Sequence, residues 1–124
     1  MNLEKGEFAE PRLKILTPEH STPKAVGDIV RQQLEHFEVP EDVPVGIAFP
    51  APIKPGKKLD FMANLDQSWI GVDVTEVFSE ACGRPVTVVN DADAAGLAEQ
   101  AFGAAAGQDG LVIATTLGTG IGTA

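Results

Sequence analysis

The sequence predicts an α/β fold built on a parallel or mixed sheet, and three observations carry that expectation. Short apolar, β-branched runs alternate with helical patterns along the chain. An Asn90-Asp91 pair stands where one such run, Thr87-Val88-Val89, gives way to an Ala-rich helical stretch. A second run ends in the glycine-rich turn Leu117-Gly118-Thr119-Gly120-Ile121-Gly122. Strands that alternate with helices favour βαβ connections. The strand-to-helix junction is also where such a sheet delivers side chains into a cleft.

Taken in order, residues 12–16 alternate polar and apolar and read as a strand. Ser21-Thr22-Pro23 is a helix start, with a hydroxyl cap and proline at the first helical position. Val26, Ile29, Val30, Leu34 and Phe37 follow at helical spacing. Residues 45–49 form a short apolar strand closed by Pro50-Ala51-Pro52. Residues 53–65, rich in Lys, Pro and Gly, form a loop. Asp73-Val74-Thr75-Glu76 resembles a capping box that opens a short helix to Glu80, ended by Gly83 and Pro85. Residues 86–89 are a buried strand, and residues 92–102 a helix with Gly103 as its C-cap. Residues 104–110 are a connector of small residues, and residues 111–117 are a strand running into the glycine turn.

Composition excludes several classes. The 124 residues suit one domain or pieces of two, with 44% hydrophobic residues for a core. Eighteen acidic against nine basic residues give a net charge of −9, which opposes nucleic acid and anionic membranes. The single cysteine, Cys82, rules out an internal disulfide and fits a reducing compartment. No signal peptide is visible, nor any apolar run near the ~18 residues of a membrane span, so a cytoplasmic location is expected.

Asp91 is the first chemical candidate. A carboxylate there can act as general base toward a substrate hydroxyl, or simply cap the following helix. Asn90 can cap equally well, which leaves one of the pair for other work. Asn64 can donate to and accept from sugar hydroxyls, or stabilise its own turn. Trp69 can stack on a ligand but suits a core better. Successive glycine amides at Gly118, Gly120 and Gly122, with the Thr119 hydroxyl, suit an anion-binding concavity. The pattern is neither a dinucleotide fingerprint nor a P-loop. Lys54, Lys57 and Lys58 are either a solvated loop or a receiver of a phosphate-rich ligand. His20 and His36 read as surface residues without metal-ligand spacing. A carboxylate at a sheet end together with a phosphate cradle points to phosphoryl transfer to a hydroxyl.

The run Val89-Asn90-Asp91-Ala92-Asp93-Ala94-Ala95-Gly96-Leu97-Ala98-Glu99, followed by Thr116-Leu117-Gly118-Thr119-Gly120-Ile121-Gly122, resembles the ROK family of sugar kinases. Asp93, the segment Asn64-Leu65-Asp66-Gln67-Ser68-Trp69-Ile70-Gly71 and the closing Thr123-Ala124 resemble its actinobacterial polyphosphate glucokinase branch. The resemblance implies an actin-like ATPase, ribonuclease H-like fold, with glucose between two lobes. On that expectation residues 1–105 are an incomplete N-terminal lobe, and residues 106–124 open the second lobe with its first strand and phosphate turn. It implies transfer of a terminal phosphoryl group from polyphosphate or ATP, with Mg2+, to the glucose 6-hydroxyl. Asp91 would be the base. Asn64, Asn90 and Asp91 would bind the sugar, with Pro50-Ala51-Pro52 lining its pocket. Gly118, Thr119, Gly120 and Gly122 would hold donor phosphates. A sugar-binding regulatory protein is the alternative, since the family includes repressors.

The family's N-terminal Asp-x-Gly-Gly motif, its central first strand and its downstream lobe have no counterpart in the sequence. The expectation is therefore an internal piece of such an enzyme, not competent alone. Its open sheet edges would favour a homodimer.

Overall fold

A computed structural model describes residues 2, 4–54, 56–118 and 120–124. The chain divides into two compact units, Ile15–Asp91 and the combination of Met1–Lys14 with Ala92–Ala124.

The unit Ile15–Asp91 begins with helix α1 (Pro23–His36). Thr22 caps it, its hydroxyl oxygen accepting from the Ala25 N–H at 3.3 Å, and Pro23 occupies the first turn where no amide donor is needed. Helix α2 (Val74–Cys82) is capped by Asp73, whose Oδ1 accepts from the amides of Thr75 and Glu76. Gly83 ends it at φ +65°, a left-handed conformation that a side chain would strain. The two helices pack closely because Gly27 is buried: a Cβ there would lie 3.1 Å from that of Ala81.

Strands β1 (Val45–Phe49) and β2 (Val86–Asn90) pair in parallel, from Val45 beside Val86 to Phe49 beside Asn90. A 3-10 turn (Gln67–Trp69) supplies the centre of the core. Phe49, Trp69 and Phe78 stack at centroid separations of 4.7 to 5.8 Å, inside a shell that includes Met62, Val74, Val86 and Val88. Trp69 is fully buried and its Nε1 donates to the Ser21 carbonyl at 2.8 Å, so this residue is core, as its sequence context suggests. Arg84, just past α2, donates to the carbonyls of Val39, Pro40 and Val43 and fixes the approach to β1.

The second unit holds helix α3 (Asp91–Phe102) from its second residue onward, and a hairpin of β3 (Thr115–Leu117) and β4 (Ile121–Thr123). Small residues let α3 approach the hairpin. A Cβ on Gly96 would meet Ala124 at 3.1 Å, and one on Gly122 would meet the Thr116 hydroxyl at 2.6 Å and Ala92 at 3.0 Å.

Most expected elements are present, with adjusted ends. Helix α2 runs two residues beyond Glu80, to Cys82. Two expectations need correction. Residues 12–16 form no strand, because alternation alone does not make one and no described strand pairs with them. The strand expected over residues 111–117 is confined to Thr115–Leu117, since its antiparallel pairing stops at the Ala114–Ala124 bonds. The described strands form one parallel pair and one separate hairpin.

Candidate functional site

The parallel register of β1 and β2 brings their carboxyl ends together, the usual location of a binding site in an α/β sheet. Beyond Phe49 lies the turn Pro50-Ala51-Pro52, and beyond Asn90 lies Asp91. The two chain segments are joined by a hydrogen bond: Asn90 Nδ2 donates to the Ala51 carbonyl at 3.1 Å. Ala51 is buried, Asn90 half-buried and Asp91 exposed at the opening of α3. A half-buried amide thus ties the turn to the strand end, beside a carboxylate that reaches solvent.

Asn64 belongs to the same unit and is exposed, in a bend between buried Met62 and the 3-10 turn. Side chains flanking it set that bend. Gln67 Nε2 donates to the Met62 carbonyl at 3.0 Å, and the Asp66 amide donates to Ser21 Oγ at 3.1 Å. Asp66 Oδ1 accepts from the Ser68 amide at 2.9 Å. The Ser68 hydroxyl and amide together hold the Asp66 carboxyl below the ordinary aspartate range, with a smaller contribution from the charge of His20. His20 and His36 are both exposed.

The glycine turn is the tip of the β3–β4 hairpin. Gly118 N–H donates to the Gly120 carbonyl at 2.9 Å, so this amide is engaged inside the turn. Gly122 lies opposite Thr116 in the ladder, where the close approach of Thr116 and Ala92 requires the absence of a side chain. Gly120 is exposed, and Thr119 lies outside the described residues. Gly122 therefore has a local structural reason to be glycine, independent of any ligand.

Reading residues one at a time missed the acceptor at Ala51, because it is a main-chain atom 39 positions from its donor. Nothing in the sequence around Gln67 marks it as a brace, because that role needs the folded bend.

Against known proteins, residues 4–124 match the sequence model of the ROK family. The chain belongs to the ROK family. It is 38% identical to a polyphosphate glucokinase of Mycobacterium leprae, aligned over 100% of this chain and 38% of that protein. It is 39% identical to a polyphosphate glucokinase of Mycobacterium tuberculosis, over 100% of this chain and 46% of that one. A xylose repressor of Bacillus subtilis is 30% identical over 84% of this chain and 28% of its own length. The crystal structure of an inorganic polyphosphate/ATP-glucomannokinase from Arthrobacter sp. strain KM matches with a TM-score of 0.90 and 40% identity, covering 99% of this chain and 50% of that one. The chain therefore carries part of the actin-like ATPase fold of ROK kinases. It spans less than half the length of the polyphosphate glucokinases it matches.

Proposed function

We propose that this ROK chain is the sugar-binding and base-carrying part of a glucokinase. The observation that carries the reading is the junction where Asn90 holds the Pro50-Ala51-Pro52 turn beside Asp91 at the carboxyl ends of β1 and β2. An exposed carboxylate beside a braced turn suits the 6-hydroxyl of glucose. Asn64 and Asn90 supply amides that donate to and accept from the other hydroxyls.

In the reaction, the Asp91 carboxylate accepts the proton of the 6-hydroxyl as that oxygen bonds to the terminal phosphorus. The bridging P–O bond breaks, and the products are glucose 6-phosphate and ADP or a polyphosphate shorter by one unit. Gly118, Thr119, Gly120 and Gly122 are assigned to the donor phosphates. Gly118 and Gly120 are both exposed, and the Gly118 amide has a partner within the turn. No group of three or more His, Cys, Asp or Glu among the described residues could cage a metal ion. Mg2+ thus fits this chain as an ion carried by the donor's own phosphates, where it would neutralise charge developing on the transferred group. We propose 105/106 as the boundary between the two kinase lobes.

The polyphosphate glucokinase relatives and the glucomannokinase structure support polyphosphate and ATP as donor classes. The test is a chimera in which this chain replaces its aligned half of the Arthrobacter glucomannokinase. Asp91→Asn should lower kcat by about 100-fold or more while sugar affinity changes only a few-fold. Retained kcat would remove Asp91 from the role of base. The 124-residue chain by itself should form no glucose 6-phosphate from either donor, and robust turnover would sink that part of the reading.

A second reading, a sugar-binding regulator, draws on the xylose repressor match. It predicts that sugar binding persists and that Asp91→Asn leaves signalling intact. We further assign the chain a homodimeric state, since β1 and β2 each have a single described ladder partner. Sedimentation of a well-folded monomer at micromolar concentration would refute that assignment.

No described helix is long and apolar enough to cross a membrane.

A further inference from the structure

A cavity of about 220 Å3 opens in the unit Ile15–Asp91, and neither Asn64, Asn90 nor Asp91 lines it. Its rim carries Lys54, Lys57 and Lys58, and its far wall is the first turn of α2 at Val74 and Thr75. Three of the chain's nine basic residues thus fall within five positions and face one hollow.

The lysines are held by a built loop. Lys57 N–H donates to the Lys54 carbonyl at 3.0 Å, and Gly56 adopts φ +65°, so a tight turn sets Lys54 and Lys57 at its two ends. Immediately after Lys58, buried Leu59 is clamped on both sides: its N–H donates to the Val72 carbonyl and its carbonyl accepts from Gly71, each at 2.8 Å. That clamp fixes the lysine loop against the residues that lead into α2.

The acidic groups at the cavity are Asp60 and Asp73. Asp73 already accepts two amide hydrogens as the cap of α2. The ion pairs of the described residues lie on α1, between Lys24, Asp28, Arg31 and Glu35, and none involves the three lysines. The hollow is therefore locally cationic in a chain of net charge −9. Screening over ~8 Å at physiological salt lets this local excess dominate close contacts.

We propose that this lysine-rimmed cavity binds a stretch of inorganic polyphosphate, away from the phosphoryl group that is transferred. The proposal rests on the kinase reading and deepens it by placing part of the donor. Lysine ammoniums are point charges on flexible stems, without the fixed fork of arginine. They suit a repeating anion that must shift along the site as it shortens. Pro52 both lines the cavity and follows Ala51, so the site adjoins the turn that Asn90 holds.

The test is binding of long-chain polyphosphate to the 124-residue chain, followed by calorimetry and by amide NMR shifts. Wild-type chain should show its largest shifts at residues 54, 56–59 and 74–75. The triple variant Lys54→Gln, Lys57→Gln, Lys58→Gln should bind at least ten-fold more weakly. Its slope of log K against log salt should be shallower by about 2, the loss of three single-strand-type phosphate contacts. The three side chains are exposed, and an unchanged circular dichroism melt will confirm an intact fold. Undetectable binding by wild type, unchanged affinity in the variant, or an equal loss of ATP binding would overturn the proposal. Heparin binding as tightly as polyphosphate would overturn it too, by showing a general polyanion surface. Glucose titration separates the two readings: glucose binding without lysine-dependent polyphosphate binding defeats only this inference. Lysine-dependent polyphosphate binding without glucose binding defeats the sugar kinase reading.

Discussion

The two units solve the burial problem differently. Ile15–Asp91 encloses three aromatic rings, with Trp69 wholly removed from solvent. Among the described residues of the other unit Ala92 is the buried apolar one, while Leu111 is 91% exposed and Leu117 and Ile121 are nearly as open. The first unit has large side chains converging from two helices, two strands and a loop. The second packs through small residues, Gly96, Gly122 and Ala92, which permit close approach but remove little apolar area from water. The consequence is a division of labour: the unit that carries Asn64, Asn90 and Asp91 has its own core, and a site held to tight tolerances needs such support.

The sharpest way to break this comparison is to remove its centre. Trp69→Ala should destabilise the chain by about 3–5 kcal/mol in urea unfolding, through lost burial and the cavity left behind. Leu117→Ser should cost no more than about 0.5 kcal/mol, since the side chain is already in water. Similar costs for the two would show that the hairpin unit is as well packed as the aromatic one.

Next in size is Gly122→Val. The added atoms would press on Thr116 and Ala92, at a cost of about 1–3 kcal/mol. Amide exchange should accelerate across β3 and β4 while the amides of β1 and β2 keep their protection. Uniform loss of protection would mean that the chain unfolds as one cooperative block.

The smallest effect concerns pH. The Asp66 carboxyl is held low in the fold by Ser68, so the help it gives to its loop is complete above the unfolded aspartate value, near 3.9. That help disappears as pH falls through the lower, folded value. Amide exchange at Ser68 and Trp69, corrected for intrinsic rates, should rise on acidification below about pH 4. Asp66→Asn should abolish the step, and an unaltered step would assign it to another carboxylate.

Much of the better-packed unit was legible in the sequence, for physical reasons that differ by element. Helices α1 and α2 declare themselves through local chemistry: Thr22 before Pro23, and Asp73 three residues before Glu76. Strands β1 and β2 are continuous apolar runs whose ends are marked by Pro50 and by Asn90. Residues 12–16 misled because alternation satisfies the side-chain pattern of a strand without supplying a ladder partner, and partners are not encoded locally. Residues 111–113 misled in the same way, with Leu111 and Ile113 strand-like in composition but beyond the paired segment. At the site, the motif around Asp91 and its spacing to the glycine turn carried the family resemblance. The Asn90–Ala51 bond and the clamp of Leu59 are tertiary facts that no window of sequence contains.

The bond from Asn90 to Ala51 is written unequally into the chain. Its donor is a side chain, which a single codon change at position 90 deletes. Its acceptor is a peptide carbonyl, which every amino acid at position 51 possesses. Mutational tolerance should therefore be lopsided: position 51 is limited only by the small buried space that alanine fills, whereas position 90 demands an amide. A saturation library across both positions would display that lopsidedness as variants that keep the sugar binding proposed above at 51 and lose it at 90.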